Sequence, residues 1–342
     1  MGRSLLILFK ASFVLLLLFN TSCAPGEKEQ GRYLVPAESL VWPPPPQQPR
    51  IKYLYAFRGP GDLGFRLSFF ERLGEFFAGK ENRRMVRPYA IAAADGLVAV
   101  ADPGLRVVHL FDMKNEKYRA IDEVADEPFA SPVGVAFGPD RIYVADSTLG
   151  KVFILDRQGG YRGAITGLQR PTGIAYHAGS NRLFVADTLG HKIVAFDADG
   201  TRLLSFGSRG SANGTFNYPS HLTVHGNILY VNDTMNFRVQ AFDIDGDFLL
   251  SFGKVGDGSG NFAQPKGVST DSAGNIYVVD AIFDGVQIFD DKGHFLLSFG
   301  KQGNLAGEFW LPTGIFIAQD KIFVADSYNE RIQVFEFIGA KS

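Results

Sequence analysis

The sequence predicts an all-β fold, a six-bladed β-propeller of four-stranded antiparallel blades, and three observations lead to it. A short apolar and aromatic phrase that ends in Asp recurs six times along the 342 residues. The spacing of these phrases is that of a four-stranded propeller blade. The last repeat ends at its third strand, whereas an extra strand precedes the first repeat.

The repeated phrase has the β-branched and aromatic residues of a buried strand. It ends at Asp102, Asp146, Asp187, Asp233, Asp280 and Asp326. Successive Asp residues lie 44, 41, 46, 47 and 46 positions apart, which is too long for a leucine-rich unit. A carboxylate present in every blade favours a structural role, as an acceptor for loop backbone or as a partner of a downstream Arg or Lys.

Each repeat also contains an inner strand after a proline, as in Pro312–Phe316, and most contain an outer strand such as Phe295–Phe299. The segment Tyr53–Phe57 has the spacing of an outer strand but precedes the first complete repeat. We therefore predict that the strand of residues 51–57 joins blade six and closes the ring, which removes the free sheet edges.

The repeated segments Pro-x-Gly-Ile and Val-x-Asp-x-x-Asn-x-Arg-Ile, with a following Phe and Gly-rich turn, resemble NHL repeats over residues 87–337. Two repeats match the middle segment in full, through Asp233, Asn236 and Arg238, and through Asp326, Asn329 and Arg331. The resemblance implies a six-bladed propeller. It also implies two classes of activity, the binding of proteins or RNA and metal-dependent catalysis of the amidating-lyase or gluconolactonase type.

Residues 1–22 have the pattern of a secretory signal peptide, with a charged start, an apolar run from Ala11 to Phe19 and small polar residues. The run is too short to span a bilayer because Lys10 interrupts it. The next residue, Cys23, is the only cysteine, and Asn20–Cys23 resembles a bacterial lipoprotein cleavage box, although Leu is usual in place of Asn20. We expect Cys23 to be lipidated, the alternative being a plain signal peptide with a stray Cys.

Residues 23–50 are expected to form a lipidated, proline-rich tether, since Pro43–Pro46 favour an extended and semi-rigid chain. By the sorting pattern of bacterial lipoproteins, Ala24 after the Cys implies the outer membrane. The predicted location is therefore the bacterial cell envelope, with a lipid anchor. Residues 51–342 form the predicted NHL-type propeller, with a helical insertion at about 63–80, where Phe69, Leu73 and Phe76 follow a helical period.

Charge and composition narrow the possible functions. The 34 basic and 36 acidic residues leave no excess of positive charge, so we expect no nucleic-acid partner. The six histidines fall at unlike positions of the repeat, and only His221, which replaces an inner-strand glycine, is placed near the axis. One imidazole is not a catalytic zinc site, which needs three protein ligands. We therefore predict no catalytic residues, no metal site and no cofactor.

The loops between second and third strands differ from blade to blade and supply the candidate binding residues. Together with His221 these are Leu189, His191, Met235, Phe237, Ile282, Phe283 and Tyr328. Exposed, they would form an apolar and aromatic rim around the channel mouth, as a partner-binding surface does. Alternatively, several of them turn inward and pack between blades.

The sequence thus favours a membrane-tethered scaffold that binds a protein of the cell envelope, or an extended ligand, on its loops. Two alternatives stay open. One is a metal-dependent hydrolase or lyase of the gluconolactonase-like or amidating-lyase-like type. The other is a stabilising subunit of an envelope assembly. Whether the chain is an enzyme is left undecided, with binding favoured.

Overall fold

The computed structural model describes residues 40–65 and 84–339, which form six antiparallel sheets whose inner strands contact one another around a ring. In each sheet the strand order from the centre outward is the order of strands in the repeat. The chain is a six-bladed β-propeller, so the predicted fold is confirmed. The signal peptide, Cys23 and most of the predicted helical insertion lie outside the described residues.

The blades are numbered in chain order, with strands given from inner to outer. Blade 1 contains Ala90–Ala94, Leu97–Asp102, Val107–Asp112 and Lys117–Ile121. Blade 2 contains Pro132–Phe137, Arg141–Asp146, Lys151–Asp156 and Tyr161–Ile165. Blade 3 contains Pro171–His177, Arg182–Asp187, Lys192–Asp197 and Arg202–Phe206.

The second half of the ring repeats this arrangement. Blade 4 contains Pro219–His225, Ile228–Asp233, Arg238–Asp243 and Phe248–Phe252. Blade 5 contains Pro265–Thr270, Ile276–Asp280, Gly285–Phe289 and Phe295–Phe299. Blade 6 contains Ile315–Ala318, Lys321–Asp326, Arg331–Phe337 and Ile51–Phe57.

Short elements lie outside the blades. A two-stranded hairpin, Glu123–Val124 with Glu127–Pro128, connects blades 1 and 2. Four 3-10 turns among the described residues are Pro60–Leu63, Thr188–Gly190, Thr234–Asn236 and Ser327–Asn329. Within residues 40–65 and 84–339, no helix is long and apolar enough to cross a bilayer.

The ring is closed by the early strand that the sequence predicts. Ile51–Phe57 pairs antiparallel with Arg331–Phe337, and Ile51 lies opposite Phe337. The ring of Tyr53 packs edge-on against Phe335 at 5.5 Å. An early strand of the chain and three late strands therefore share the sheet of blade 6. The pairing between them closes the ring.

Part of the predicted tether belongs to the propeller instead. Val41–Trp42 forms a fifth strand on the outside of blade 6, and the proline-rich residues that follow connect it back to Ile51 rather than extending away. The physical reason is the indole of Trp42, whose apolar rings pack 5.8 Å from both Phe299 and Phe335. The sheet of blade 6 thus begins about ten residues before the predicted boundary at residue 51.

The apolar core is divided among the junctions between blades. Six clusters of buried side chains each combine residues of two neighbouring blades within the described part of the chain. In the Gly-rich connections, Phe129, Phe216, Phe262 and Phe309 are almost completely buried. A buried Phe contributes about 1.5–3 kcal/mol by area, so these connections anchor the blades to one another.

Neighbouring inner strands approach most closely at the glycine of the Pro-x-Gly segment. A Cβ on Gly267 would lie 2.6 Å from the amide nitrogen of Ile315 in the next blade. A Cβ on Gly314 would collide with the carbonyl oxygen of Tyr89, across the junction of blades 6 and 1. Because the obstruction is backbone, no rotamer change can relieve it.

Replacing Gly314 by Ala is therefore expected to lower the free energy of unfolding by about 1–3 kcal/mol, the usual cost of overpacking. Gly163→Ala is the matched control, since its new Cβ would meet only Ile154 Cδ1, at 4.0 Å. Urea denaturation of both variants measures the difference. Equal stability of the two variants would contradict the close approach.

Candidate functional site

The loop face of the propeller is the end that carries the connections between second and third strands and the Gly-rich connections before the prolines. The repeated Asp residues hold both sets of connections together. Asp146 accepts hydrogen bonds from the backbone of Ala130 and Ser131 in one connection and of Thr148 and Leu149 in the other, at 2.8–3.1 Å. Asp102 and Asp280 make the same kind of contacts.

In blade 6 the same carboxylate is held mainly by side chains. Arg331 Nε donates to Asp326 Oδ2 at 2.7 Å, and Asn329 and Gln333 also donate to this carboxylate. Burial raises the pKa of Asp326, and the Arg331 guanidinium opposes that rise. Blade 4 repeats the arrangement around Asp233. All six Asp side chains are fully buried, so they position the loop face and do not reach a ligand.

Four of the candidate rim residues are exposed on the loop face. They are Leu189, Met235, Ile282 and Tyr328, with 43%, 51%, 56% and 44% of their surface accessible. Phe237 and Phe283 are half-buried. The structure therefore places one exposed apolar side chain from each of blades 3 to 6 on the loop face, and we call this set the rim: Leu189, Met235, Ile282 and Tyr328.

His191 and His221 are buried, so the structure does not place them with the exposed rim. His191 packs its ring 4.6 Å from Tyr218, and its Nδ1 accepts the Tyr218 backbone N–H. His191 follows a 3-10 turn with a left-handed φ of 51°, and its contacts with Tyr218 accompany its burial. His221 is buried at the axis, as described below.

Two aromatic residues of the loop face escaped the sequence analysis. Trp310 is 48% exposed and packs 5.5 Å from Tyr328, whose other neighbour is the guanidinium of Arg87, 5.0 Å from its ring centre. Tyr218 is also exposed. Both lie one or two residues before an inner-strand proline, where the other blades have no aromatic residue, and that contrast was the available signal.

The central channel contains a cavity of about 390 Å³. It is lined by inner strands of all six blades and extends from the level of His221 to hairpin residues such as Asp271 and Asp320 at the face opposite the loops. Most of its wall is apolar side chain and glycine backbone, for example Gly173, Ile174 and Val224.

An aromatic pair crosses the channel at the loop-face end of this cavity. The rings of Tyr89 and His221 stack at 5.5 Å with an interplanar angle of 27°. Blades 1 and 4 are opposite in a ring of six, so this contact must span the axis. Burial raises the pKa of Tyr89, whereas burial first and the Lys266 ammonium second lower the pKa of His221 to about 3. His221 is therefore neutral at physiological pH.

At the junction of blades 4 and 5, His221 stands where four of the other blades have glycine. Hydroxyl side chains link adjacent blades elsewhere, as where Thr188 Oγ1 donates to the Pro219 carbonyl at 2.7 Å. The equivalent distance from Thr234 to Pro265 is 3.4 Å, longer than a good O–H···O bond. At the same junction Asn232, where other blades have Ala or Val, donates from its amide to the Lys266 carbonyl.

Positive charge surrounds the aromatic pair. Burial, and then the Arg170 guanidinium, lower the pKa of Lys266, and Arg170 also favours the ionised form of Tyr89. We call Tyr89, Arg170, His221 and Lys266 the channel mouth. Neither Arg170 nor Lys266 makes an ion pair with any residue in the described ranges 40–65 and 84–339. Sequence analysis missed both cations because Lys266 occupies the variable position of the Pro-x-Gly segment and Arg170 precedes the segment in blade 3.

No group of three or more His, Cys, Asp or Glu side chains among the described residues lies close enough to hold a metal ion. The repeated Asp carboxylates accept backbone N–H groups from the connections or hold an Arg, and His221 reaches the axis without a carboxylate beside it. Among the described residues, the channel mouth therefore offers hydrogen-bond donors and positive charge rather than side chains that would coordinate a metal ion.

Comparisons with known proteins support the fold. A family profile described as a 6-bladed beta-propeller matches residues 211–286 and 270–341, which span the second half of the ring. A search of curated proteins found no match.

Solved structures resemble most of the ring at low sequence identity. A protein of unknown function from Bacteroides thetaiotaomicron is 19% identical, with a TM-score of 0.58 over 75% of this chain and 70% of that one. An auxiliary nutrient binding protein from the same organism is 15% identical, with a TM-score of 0.58 over 73% and 69%. Virginiamycin B lyase from Staphylococcus aureus is 15% identical, with a TM-score of 0.55 over 74% and 96%. These likenesses establish the fold alone.

The buried neutral His221 predicts a specific pH dependence of stability. Its folded pKa of about 3 lies below the ordinary 6.5, so the unfolded chain takes up a proton that the folded chain refuses. The stability is fully present above pH 6.5 and is lost as the pH falls below it, by at most about 1.4 kcal/mol per pH unit.

His221→Gln removes this contribution. Denaturation curves between about pH 7 and 5 should therefore show a smaller loss of stability for the variant than for the wild type. The other titratable groups contribute equally to both proteins, so their effects cancel when the two pH profiles are subtracted. Parallel pH profiles would contradict a neutral, buried imidazole at this position.

Proposed function

We propose that the protein is a lipid-anchored binding scaffold of the bacterial cell envelope, which holds a protein partner on its loop face. The observation that carries this proposal is the rim, four exposed apolar side chains contributed by blades 3 to 6 to one face. Trp310 and Tyr218 enlarge the same surface. Exposed aromatic and aliphatic groups beside an Arg are the composition that dominates protein interfaces.

The distribution of exposed apolar residues supports this choice of face. Leu203, Leu249 and Leu296 are also exposed, but they occupy equivalent positions of the outer strands in blades 3, 4 and 5. Because these three Leu residues recur at the same position of each blade, the repeated sequence of the outer strand accounts for their exposure. The rim residues, by contrast, differ in type from blade to blade on a common backbone, which is how a propeller acquires a specific surface.

Changing Met235 and Ile282 to Ser together is expected to reduce capture of the partner from native envelopes at least about tenfold, because hot-spot residues each contribute more than about 1 kcal/mol. The matched control changes Leu249 and Leu296 to Ser, which are similarly exposed on the outer strands. Quantitative mass spectrometry of the captured proteins measures the ratio. Equal capture by both variants would argue against the loop face.

Lipidation is the second part of the proposal and rests on the cleavage-box resemblance at Cys23. A single acyl chain binds a bilayer only weakly, so the several chains of a bacterial lipoprotein are what would hold the domain at a membrane. Cys23→Ser should move the protein from the membrane fraction to the soluble fraction. It should also abolish incorporation of labelled palmitate.

Conversely, a Cys23→Ser variant that stays with the membrane and takes up label as before would refute the anchor. The loop-face proposal would survive that result, since capture of a partner is measured separately.

A channel enzyme is the second candidate, and His221 is the observation that favours it. A neutral imidazole is the form in which histidine accepts a proton as a general base, and this one lines the channel cavity. Virginiamycin B lyase shares the fold, and one of its histidine variants is catalytically inactive. A stoichiometric divalent ion in the purified protein that is lost in His221→Gln would favour this candidate over the scaffold.

A further inference from the structure

We propose that the channel mouth binds a compact oxyanion, a carboxylate or phosphate group. This inference rests on the proposed function and deepens it, because it names a chemical group that a ligand or partner of the loop face would present. Tyr89 of blade 1 and His221 of blade 4 stack there, and the charges of Arg170 in blade 3 and Lys266 in blade 5 act on this pair and on each other. Convergence of polar groups from separate blades at one end of a cavity is typical of ligand sites.

The first argument is uncompensated charge. Arg170 and Lys266 lie close enough for the guanidinium to disfavour the charged ammonium, and neither has a carboxylate partner among the described residues. Lys266 is partly buried whereas Arg170 is exposed, so the cost of positive charge without a counter-ion falls mainly on Lys266. An oxyanion between them would relieve this repulsion and would gain charge-assisted hydrogen bonds.

The second argument is the unpaired proton of His221. Its Nδ1 lies 3.0 Å from Ser220 Oγ, which lies 2.6 Å from Thr234 Oγ1. The 3.4 Å contact of Thr234 with the Pro265 carbonyl is weak, so the Thr234 hydroxyl is better placed to donate to Ser220. Ser220 then donates to Nδ1, and the neutral ring must carry its proton on Nε2.

That Nε2–H is buried and has no acceptor among the described residues. An unsatisfied buried donor costs about 1–3 kcal/mol, and such groups in native structures call for a partner. His221 is only 8% exposed, and its imidazole, which lines the cavity, stacks on Tyr89. The ammonium of Lys266 is near enough to disfavour a second positive charge on this imidazole. An acceptor with negative charge is the ligand chemistry that suits two cations and a free N–H together.

The ring depends on none of these groups for its closure. Hydroxyl links between blades use the second position of the Pro-x-Gly segment in blades 3 and 6, through Thr172 and Thr313. Ser220, at that position in blade 4, bonds Thr234 and His221 within its own blade. In blades 1 and 5 the second position of this segment holds a larger polar side chain, Tyr89 or Lys266. Both blades thus present a functional group where others present a structural one.

The test titrates the mature full-length protein with inorganic phosphate and, separately, with acetate, at about pH 7 and constant ionic strength set by chloride. The proposal predicts a saturable rise in the melting temperature with at least one of the two, as expected for a ligand that binds only the folded state. Lys266→Met and Arg170→Gln should each weaken the apparent affinity at least about tenfold. Arg170 is exposed, so its variant is expected to fold even if the Lys266 variant does not.

Lys254→Met is the matched control, because Lys254 is an exposed cation of the Gly-rich connection before blade 5, away from the channel mouth. It should keep the wild-type affinity within about twofold, well inside the tenfold change of about 1.4 kcal/mol. The pKa of Lys266, followed by NMR of its ε-carbon, should rise when the effective anion is added, because a nearby negative charge favours the ammonium. A purely structural Lys266 would not respond.

A response to acetate alone would assign a carboxylate, a response to phosphate alone a phosphate group, and either supports the site. Absence of a saturable response beyond chloride would overturn it, as would equal weakening by Lys254→Met. The double change of Met235 and Ile282 should leave the anion response intact. A result against partner binding at the rim can therefore be told apart from a result against anion binding at the channel mouth.

Discussion

The close approach of neighbouring inner strands at the Pro-x-Gly glycine sets the geometry of the whole ring. A Cβ there would meet backbone atoms of the next blade, as at Gly267 beside Ile315 and at Gly314 beside Tyr89. The ring therefore closes at one radius, and the remaining elements adapt to it. Buried Phe side chains fill each junction, the repeated Asp carboxylates fasten the connections, and the strand Ile51–Phe57 completes blade 6.

Two blades depart from this rule, and the departures create the polar end of the channel. Ala90 in blade 1 and His221 in blade 4 replace the glycine, and the blades are opposite one another. The imidazole reaches the axis and stacks on Tyr89, while the hydroxyl link between blades 4 and 5 lengthens to 3.4 Å. Across that junction the Asn232 amide donates a hydrogen bond to the Lys266 carbonyl, which offsets part of the weakening of the hydroxyl contact. At this junction an amide hydrogen bond thus stands beside a long hydroxyl contact, and an aromatic pair crosses the channel next to it.

Repetition decided what the sequence could predict. Six copies of one phrase and a spare outer strand were enough for the blade number and the closure at residues 51–57. Features that occur once were harder to foresee. The indole of Trp42 moved the start of the blade 6 sheet by about ten residues, since its packing on Phe299 and Phe335 is a tertiary contact. The ring of Tyr218 packs on His191 and buries a predicted rim residue, and Arg170 and Lys266 come near each other only through the ring of blades.

The central claim is that the loop face is where this propeller meets its partner. Site-specific photocrosslinking in intact envelopes tests it most directly, with a photoreactive amino acid at Ile282 on the rim or at Leu296 on an outer strand. Our account predicts a discrete crosslinked species from position 282 and none from position 296. Crosslinking from position 296 with none from position 282 would contradict it and would move the interface to the outer strands.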